Sequence, residues 1–164
     1  MTEHAVVIRP AVPGDVEVFL GLVDALADYE KLDRPSAEAR ERLITDGFGA
    51  SPRFRAYLAE LDGRAVAYAI TFHTYSSFLA LPTLFLEDIF VAPEARRAGV
   101  GTAFFRFLSA EAVRGGCGRM EWVVLDWNTL ATDFYDRMGA RRMGEWYTYR
   151  LNRDQLETLA ADRE

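Results

Sequence analysis

Apolar and polar positions change period several times along the chain, and each change marks an element. A run from Val6 to Arg9 reads as a first strand, closed by Pro10. In "PGDVEVFLGLVDALADYE" the apolar residues Val16, Phe19, Leu20, Val23, Leu26 and Ala27 recur at helical spacing. A shorter helix is expected from Ser36 to about Thr45, broken by "TDGFGASP". In "FRAYLAELDGRAVAYAITF" two apolar-rich runs flank Asp62-Gly63, a dipeptide suited to the positive φ angles of a tight hairpin. "TLFLEDIFV" reads as a further strand running into Pro93.

A helix opened by "RRAGVG" continues to about Arg114, with Phe104, Phe105, Leu108 and Ala112 on one side, and "GGCG" ends it. "RMEWVVLDW" is rich in strand formers. Asn128 suits the cap of a helix over "TLATDFYDRM", in which Leu130, Phe134 and Met138 form an apolar stripe, and Gly139 suits its end. "GEWYTYRL" is expected as a last strand, and "LNRDQLETLAADRE" as a short polar-faced helix. Antiparallel hairpins followed by a strand–helix–strand–helix–strand unit predict an α/β domain, with a mixed central sheet flanked by helices.

Composition narrows the class. The 164 residues suffice for one domain with a real core, and half are hydrophobic, which excludes a disordered chain. No apolar run reaches the roughly 18 residues of a membrane span, and "MTEHAVVIRP" lacks the pattern of a signal peptide. The net charge of −6 lacks the basic excess of a nucleic-acid surface and is compatible with a cationic partner. A single Cys117 excludes an internal disulfide and a cysteine metal site, and neither it nor His4 or His73 is assigned a role. A soluble cytoplasmic protein, with no metal, nucleic acid or membrane, is the expectation.

The densest chemistry lies in "EARRAGVGTAFFRFL". A helix N-terminus presents unpaired backbone N–H groups and the positive end of a dipole. Gly99 and Gly101 keep side chains away from those amides, and Arg96 and Arg97 add positive charge, so a pyrophosphate fits. No Gly-Lys-Ser/Thr occurs, which excludes a P-loop, and a dinucleotide fingerprint would need a third glycine.

The stretch "LEDIFVAPEARRAGVGTAFFRFL" resembles motif A of the GNAT acetyltransferase superfamily, whose Gln/Arg-x-x-Gly-x-Gly/Ala signature is met by Arg96, Gly99 and Gly101. The order of "IRPA", "LADYEK", "DGFG", "LEDIFV", "WNTLATDFYDRMGA" and "EW", from about residue 7 to 150, is similar to the diamine (spermidine/spermine) and thialysine N-acetyltransferase branch. The resemblance implies one GNAT-like domain over 1–164, with a motif core at about 84–150 and a splayed pair of strands. It implies acetyl-CoA as cosubstrate, cradled by Arg96, Arg97, Ala98, Gly99, Val100, Gly101 and Thr102. Backbone at Ile89, Phe90 and Val91 would pair with the pantetheine arm, and Asn128 and Ala131 would line the coenzyme. Asn128 serves equally as a helix cap.

Acetyl transfer to an amine needs a carboxylate that accepts a proton and an acid for the leaving thiolate. Glu87 and Asp88 sit inside an apolar strand, where alternation turns one of them towards the helices. By resemblance Glu87 is the acid that engages the amine, Tyr135 is the general acid, and Glu30, Glu87, Asp88 and Glu145 surround the substrate amine. "TYSSFLALP" departs from the polyamine enzymes, placing Ser76, Ser77 and Phe78 where they carry Asp-Pro-Trp. Thialysine, a lysine-like molecule or another small amine is therefore as plausible as a polyamine. A homodimer is implied by the resemblance alone. A non-catalytic acyl-CoA sensor and a protein lysine or N-terminal acetyltransferase remain the alternatives.

Overall fold

A computed structural model of the chain describes residues 5–161. His4 lies outside them. Backbone contacts divide the chain between Val123 and Val124 into two compact units.

The first unit holds one five-stranded sheet in the order β1-β2-β3-β4-β5. Its strands are β1 (Val6–Pro10), β2 (Arg55–Leu61), β3 (Arg64–Ser76), β4 (Leu81–Val91) and β5 (Arg119–Trp122). β1 to β4 pair antiparallel, and β4 pairs parallel with β5. The parallel pair is joined by the crossover helix α3 (Val100–Arg114), as a parallel connection requires. Asp62 and Gly63 turn β2 into β3 with φ of 52° and 79°. Two consecutive positive φ angles define the primed turn whose twist matches the strands, and Gly63 adopts its angle without a Cβ penalty.

The two faces of the sheet are filled differently. On one, α1 (Val16–Glu30) and α2 (Ala37–Phe48) pack through Phe19, whose ring meets Phe48 and Tyr68 edge-on with centroids 5.4 and 5.5 Å away. Phe19, Leu22, Ala56, Leu58, Tyr68, Ile70 and Phe90 make this core. On the other face, Val100, Phe104, Phe105, Leu108 and Ala112 of α3 are buried. Tyr57 of β2 meets Phe107 with centroids 5.2 Å apart. Ser36 caps α2 by accepting from Ala39 N, and the helix runs three residues beyond Thr45 to Phe48, whose ring earns that turn by packing on Phe19.

Residues after Val123 form the second unit. Asn128 Oδ1 accepts from Ala131 N at 3.3 Å and caps α4 (Thr129–Arg137), and α5 (Arg153–Ala161) follows. Two strand expectations fail here. β5 ends at Trp122 rather than continuing through "VVLDW", and "GEWYTYRL" forms no strand. Aromatic and β-branched residues favour a pleated surface only where a neighbouring strand supplies the ladder, and neither segment has one. The expected core stripe of α4 is also open: Leu130 and Met138 are exposed, since no strand of "GEWYTYRL" is present to cover them.

Candidate active site

β4 changes character halfway along. Thr83–Leu86 pair with β5, and the last pair is Leu86 with Trp122. Glu87–Val91 continue beside β3 with no β5 ladder on their other edge. The ladder stops there because β5 itself ends at Trp122. The β3–β4 ladder also slips at this point. Ile70 lies opposite Asp88 and Thr71 opposite Leu86, which leaves Glu87 as the extra residue of a bulge. A bulge interrupts alternation and re-aims the side chains beside it. Glu87 is exposed, whereas Asp88 turns to the α1 face.

There the buried Tyr68 hydroxyl donates to Asp88 Oδ2 at 3.1 Å. Burial, followed by the charges of Glu87 and Glu30, pushes the Asp88 carboxyl up to about 6, while the Tyr68 hydrogen bond pulls it down. Burial also raises the Glu30 carboxyl, which sits at the last position of α1. The same surroundings drive the Tyr68 hydroxyl above its ordinary range, so it stays a donor. Three carboxyl groups from two elements thus share one electrostatic field. They do not form a chelating cluster, since no group of three or more His, Cys, Asp or Glu able to hold a metal occurs among the described residues.

The helix mouth lies just downstream. Arg97 and Gly99 adopt left-handed φ of 67° and 79°, two residues apart. Such alternation turns successive backbone amides inward as an anion-binding nest. No side chain caps α3, and its first intrahelical bond runs from Ala103 N to Gly99 O at 2.9 Å. The amides of Val100, Gly101 and Thr102 precede that bond. An unpaired strand edge and an uncapped helix mouth on one continuous segment fit the pantetheine and pyrophosphate of a coenzyme A molecule.

No heavy atom lies within 4 Å of a Cβ built on Gly99, so only its φ resists substitution. Gly99→Ala should cost roughly 1–2 kcal/mol of backbone strain. If that strain is relieved by moving the turn, acetyl-CoA binds about tenfold more weakly by calorimetry. Unchanged affinity would mean that these amides do not hold the coenzyme.

Arg96 takes a place the sequence does not suggest. Its Nε donates to Val91 O at 3.1 Å, and its guanidinium lies 4.9 Å from the Tyr29 ring centroid and 5.9 Å from that of Phe90. It ties the helix mouth to the end of α1, next to Glu30.

Of the other residues singled out, Tyr135 is half-buried on α4, with its ring centroid 5.6 Å from Phe134. Glu145 is exposed and accepts from Arg141 at 3.3 Å. Ser76 is buried, and its hydroxyl accepts from Leu79 N at the β3–β4 tip, where Phe78 is bare. That tip lies six residues, or roughly 20 Å along the strand, from Glu87. His73 lines a separate cavity of about 440 Å³ with Arg55, Tyr57, Leu84, Glu111 and Arg114, on the α3 face. Sequence reasoning missed Tyr68. Its signal was a phenol in the middle of "AVAYAI", since a buried tyrosine hydroxyl needs a partner.

A family model described as the Acetyltransferase (GNAT) family matches residues 21–140. The chain belongs to the GNAT acetyltransferase family. It is 34% identical to the thialysine N-epsilon-acetyltransferase of Sus scrofa, over 95% of this chain and 98% of that protein. It is 31% identical to the human spermidine/spermine N(1)-acetyltransferase-like protein 1, over 93% of this chain and 23% of that protein. An integron cassette protein from the V. cholerae mobile metagenome superposes with a TM-score of 0.81 at 20% identity, covering 96% and 98% of the two chains. This GNAT protein is thus an N-acetyltransferase with the fold expected of it, and its relatives are those of the diamine and thialysine branch. The acetyl donor of the family is acetyl-CoA. Among the described residues no helix is long and apolar enough to cross a membrane.

Proposed function

We propose that the chain is a single transferase domain that moves the acetyl group of acetyl-CoA to the primary amine of a small, lysine-like molecule. One observation carries this reading. An anion-accepting helix mouth and a cation-accepting group of carboxylates lie in the same unit, with Arg96 touching the elements that bear both. The family match extends across the division at Val123, which supports one functional domain.

In this reading Glu30, Asp88 and Glu145 attract the ammonium, and Glu87 accepts its proton directly or through water. The neutral nitrogen attacks the thioester carbonyl in a ternary complex, a C–N bond forms and the C–S bond breaks. Tyr135 gives its proton to the departing sulfur. Amides of Arg97–Thr102 hold the pyrophosphate, with the Arg97 side chain beside it, while the Arg96 amide donates to Pro93 O. Backbone of Ile89 and Phe90 pairs with the pantetheine arm, while the Val91 carbonyl is already engaged by Arg96. Asn128 and Ala131 line the coenzyme. We read the protein as a cytoplasmic enzyme without nucleic-acid or membrane partners. We also read it as a homodimer, because Trp146, Tyr147 and Tyr149 are 72%, 82% and 92% exposed. Aromatic side chains in such number are enriched at protein interfaces.

The test is release of free thiol from acetyl-CoA in the presence of thialysine, lysine, spermidine, spermine, short diamines or a lysine peptide. Turnover on thialysine, lysine or a diamine, and none on the peptide, is the expected result. Turnover on the peptide alone would transfer the assignment to a protein acetyltransferase. Tight acetyl-CoA binding without turnover on any amine would favour a sensor.

A further inference from the structure

Tyr68 contributes no atom to the acetyl-transfer scheme, yet it is fully buried and its hydroxyl is spent on a single carboxylate. A core tyrosine at this position could be replaced by phenylalanine with no loss of packing. Its ring sits 5.5 Å from Phe19, an edge-on contact that needs no hydroxyl. The carboxylate it serves is the one that the bulge at Glu87 turns inward, onto the same face as Ile70 and Phe90.

We propose that Tyr68 is a positioning residue for amine recognition, holding the Asp88 carboxylate charged and aimed beside Glu87 and Glu30. The proposal rests on the amine-acetylation reading above and deepens it. Four groups face Asp88 or the residues around it. Tyr68 comes from β3, Glu87 from the same strand, Glu30 from the end of α1, and Arg96 from the turn before α3, stacked on Tyr29 and Phe90. Of the influences that act on the Asp88 carboxyl, burial and the two acids favour its protonated form. The Tyr68 hydrogen bond is the one that favours its charge.

The direction of the pH effect follows. Asp88 loses its charge as pH falls through about 6, and an uncharged carboxyl no longer attracts an ammonium. The profile of kcat/KM for the amine therefore carries an acid limb near pH 6 that belongs to the free enzyme. Without the Tyr68 hydroxyl the carboxyl protonates more readily, so the limb moves to higher pH.

The experiment compares the full-length protein with Tyr68→Phe and Asp88→Asn on whichever amine gives turnover. Tyr68→Phe should move the acid limb upward and lower kcat/KM for the amine about tenfold at pH 6, with the KM for acetyl-CoA unchanged. Asp88→Asn should abolish that limb. A carbon-13 NMR titration of the aspartate carboxyls, with Asp88→Asn assigning the resonance, reads the same shift without catalysis. A merely structural role would lower the melting temperature of Tyr68→Phe and leave both titrations in place. An unmoved limb together with an unmoved Asp88 resonance would overturn the proposal while the acetylation reading stands. Absence of turnover on every amine in the unaltered protein would remove that reading instead, and this proposal with it.

Discussion

Glu87→Gln should lower turnover on the amine by roughly 10²- to 10⁴-fold while leaving acetyl-CoA affinity within a factor of two or so. An alkylamine with a pKa near 10.4 is protonated at neutral pH, and exposing its lone pair costs roughly 4–5 kcal/mol. A carboxylate can hold the cation and then take its proton, whereas the isosteric amide can do neither. The structure separates the duties of two adjacent acids. Glu87 is the unpaired residue of the bulge and faces outward at the open edge of β4, where a substrate can reach it. Asp88 is turned inward and engaged by Tyr68. Steady-state kinetics beside calorimetric acetyl-CoA binding makes the measurement. Turnover near normal in Glu87→Gln would pass the proton-accepting role to Asp88, and Asp88→Asn would then show the larger loss.

The second large effect is on stability. Phe19→Ala should destabilise the protein by about 3–5 kcal/mol, because it opens a cavity where a fully buried ring meets two others edge-on. For a chain of this length that loss lowers the melting temperature by roughly 6–20 °C. The void would border Tyr68 directly. We expect amine KM to rise in this variant at temperatures where it is still folded, with acetyl-CoA KM less affected. Calorimetric melting and kinetics well below the transition separate the two effects. A loss of less than about 1 kcal/mol would show that α1 does not lock the face carrying Asp88.

Features written in local dihedrals were legible from the residues themselves. Asp62-Gly63 named its own turn, Asn128 named its cap, and Gly99 marked the mouth of α3. Motif A and the flanking segments carried the family. Features that depend on two strands at once were not legible. The slip that leaves Glu87 unpaired is defined by Ile70 and Thr71 on the neighbouring strand, and no property of "TLFLEDIFV" announces it. "GEWYTYRL" failed in the opposite sense, having strand chemistry without a ladder. From its place in the motif, the Arg96 side chain reads as a phosphate contact. Its stacking on Tyr29 joins residues 67 positions apart, a proximity only the fold creates.

Glu87 also acts as a counting device for the rest of its strand. Upstream of it, even-numbered Leu84 and Leu86 lie on the face of His73 and Thr71; downstream, even-numbered Asp88 and Phe90 lie on the face of Ile70 and Tyr68. One inserted residue has exchanged odd for even. Deleting this residue would leave a regular ladder, with Asp88 directly after Leu86 and still opposite Ile70, and Phe90 still opposite Tyr68. A variant one residue shorter would thus keep the inward acid and lose the outward carboxylate with the local bend of the bulge. Pairing Glu87 itself with Ile70 is what would trade the two faces from there to Val91.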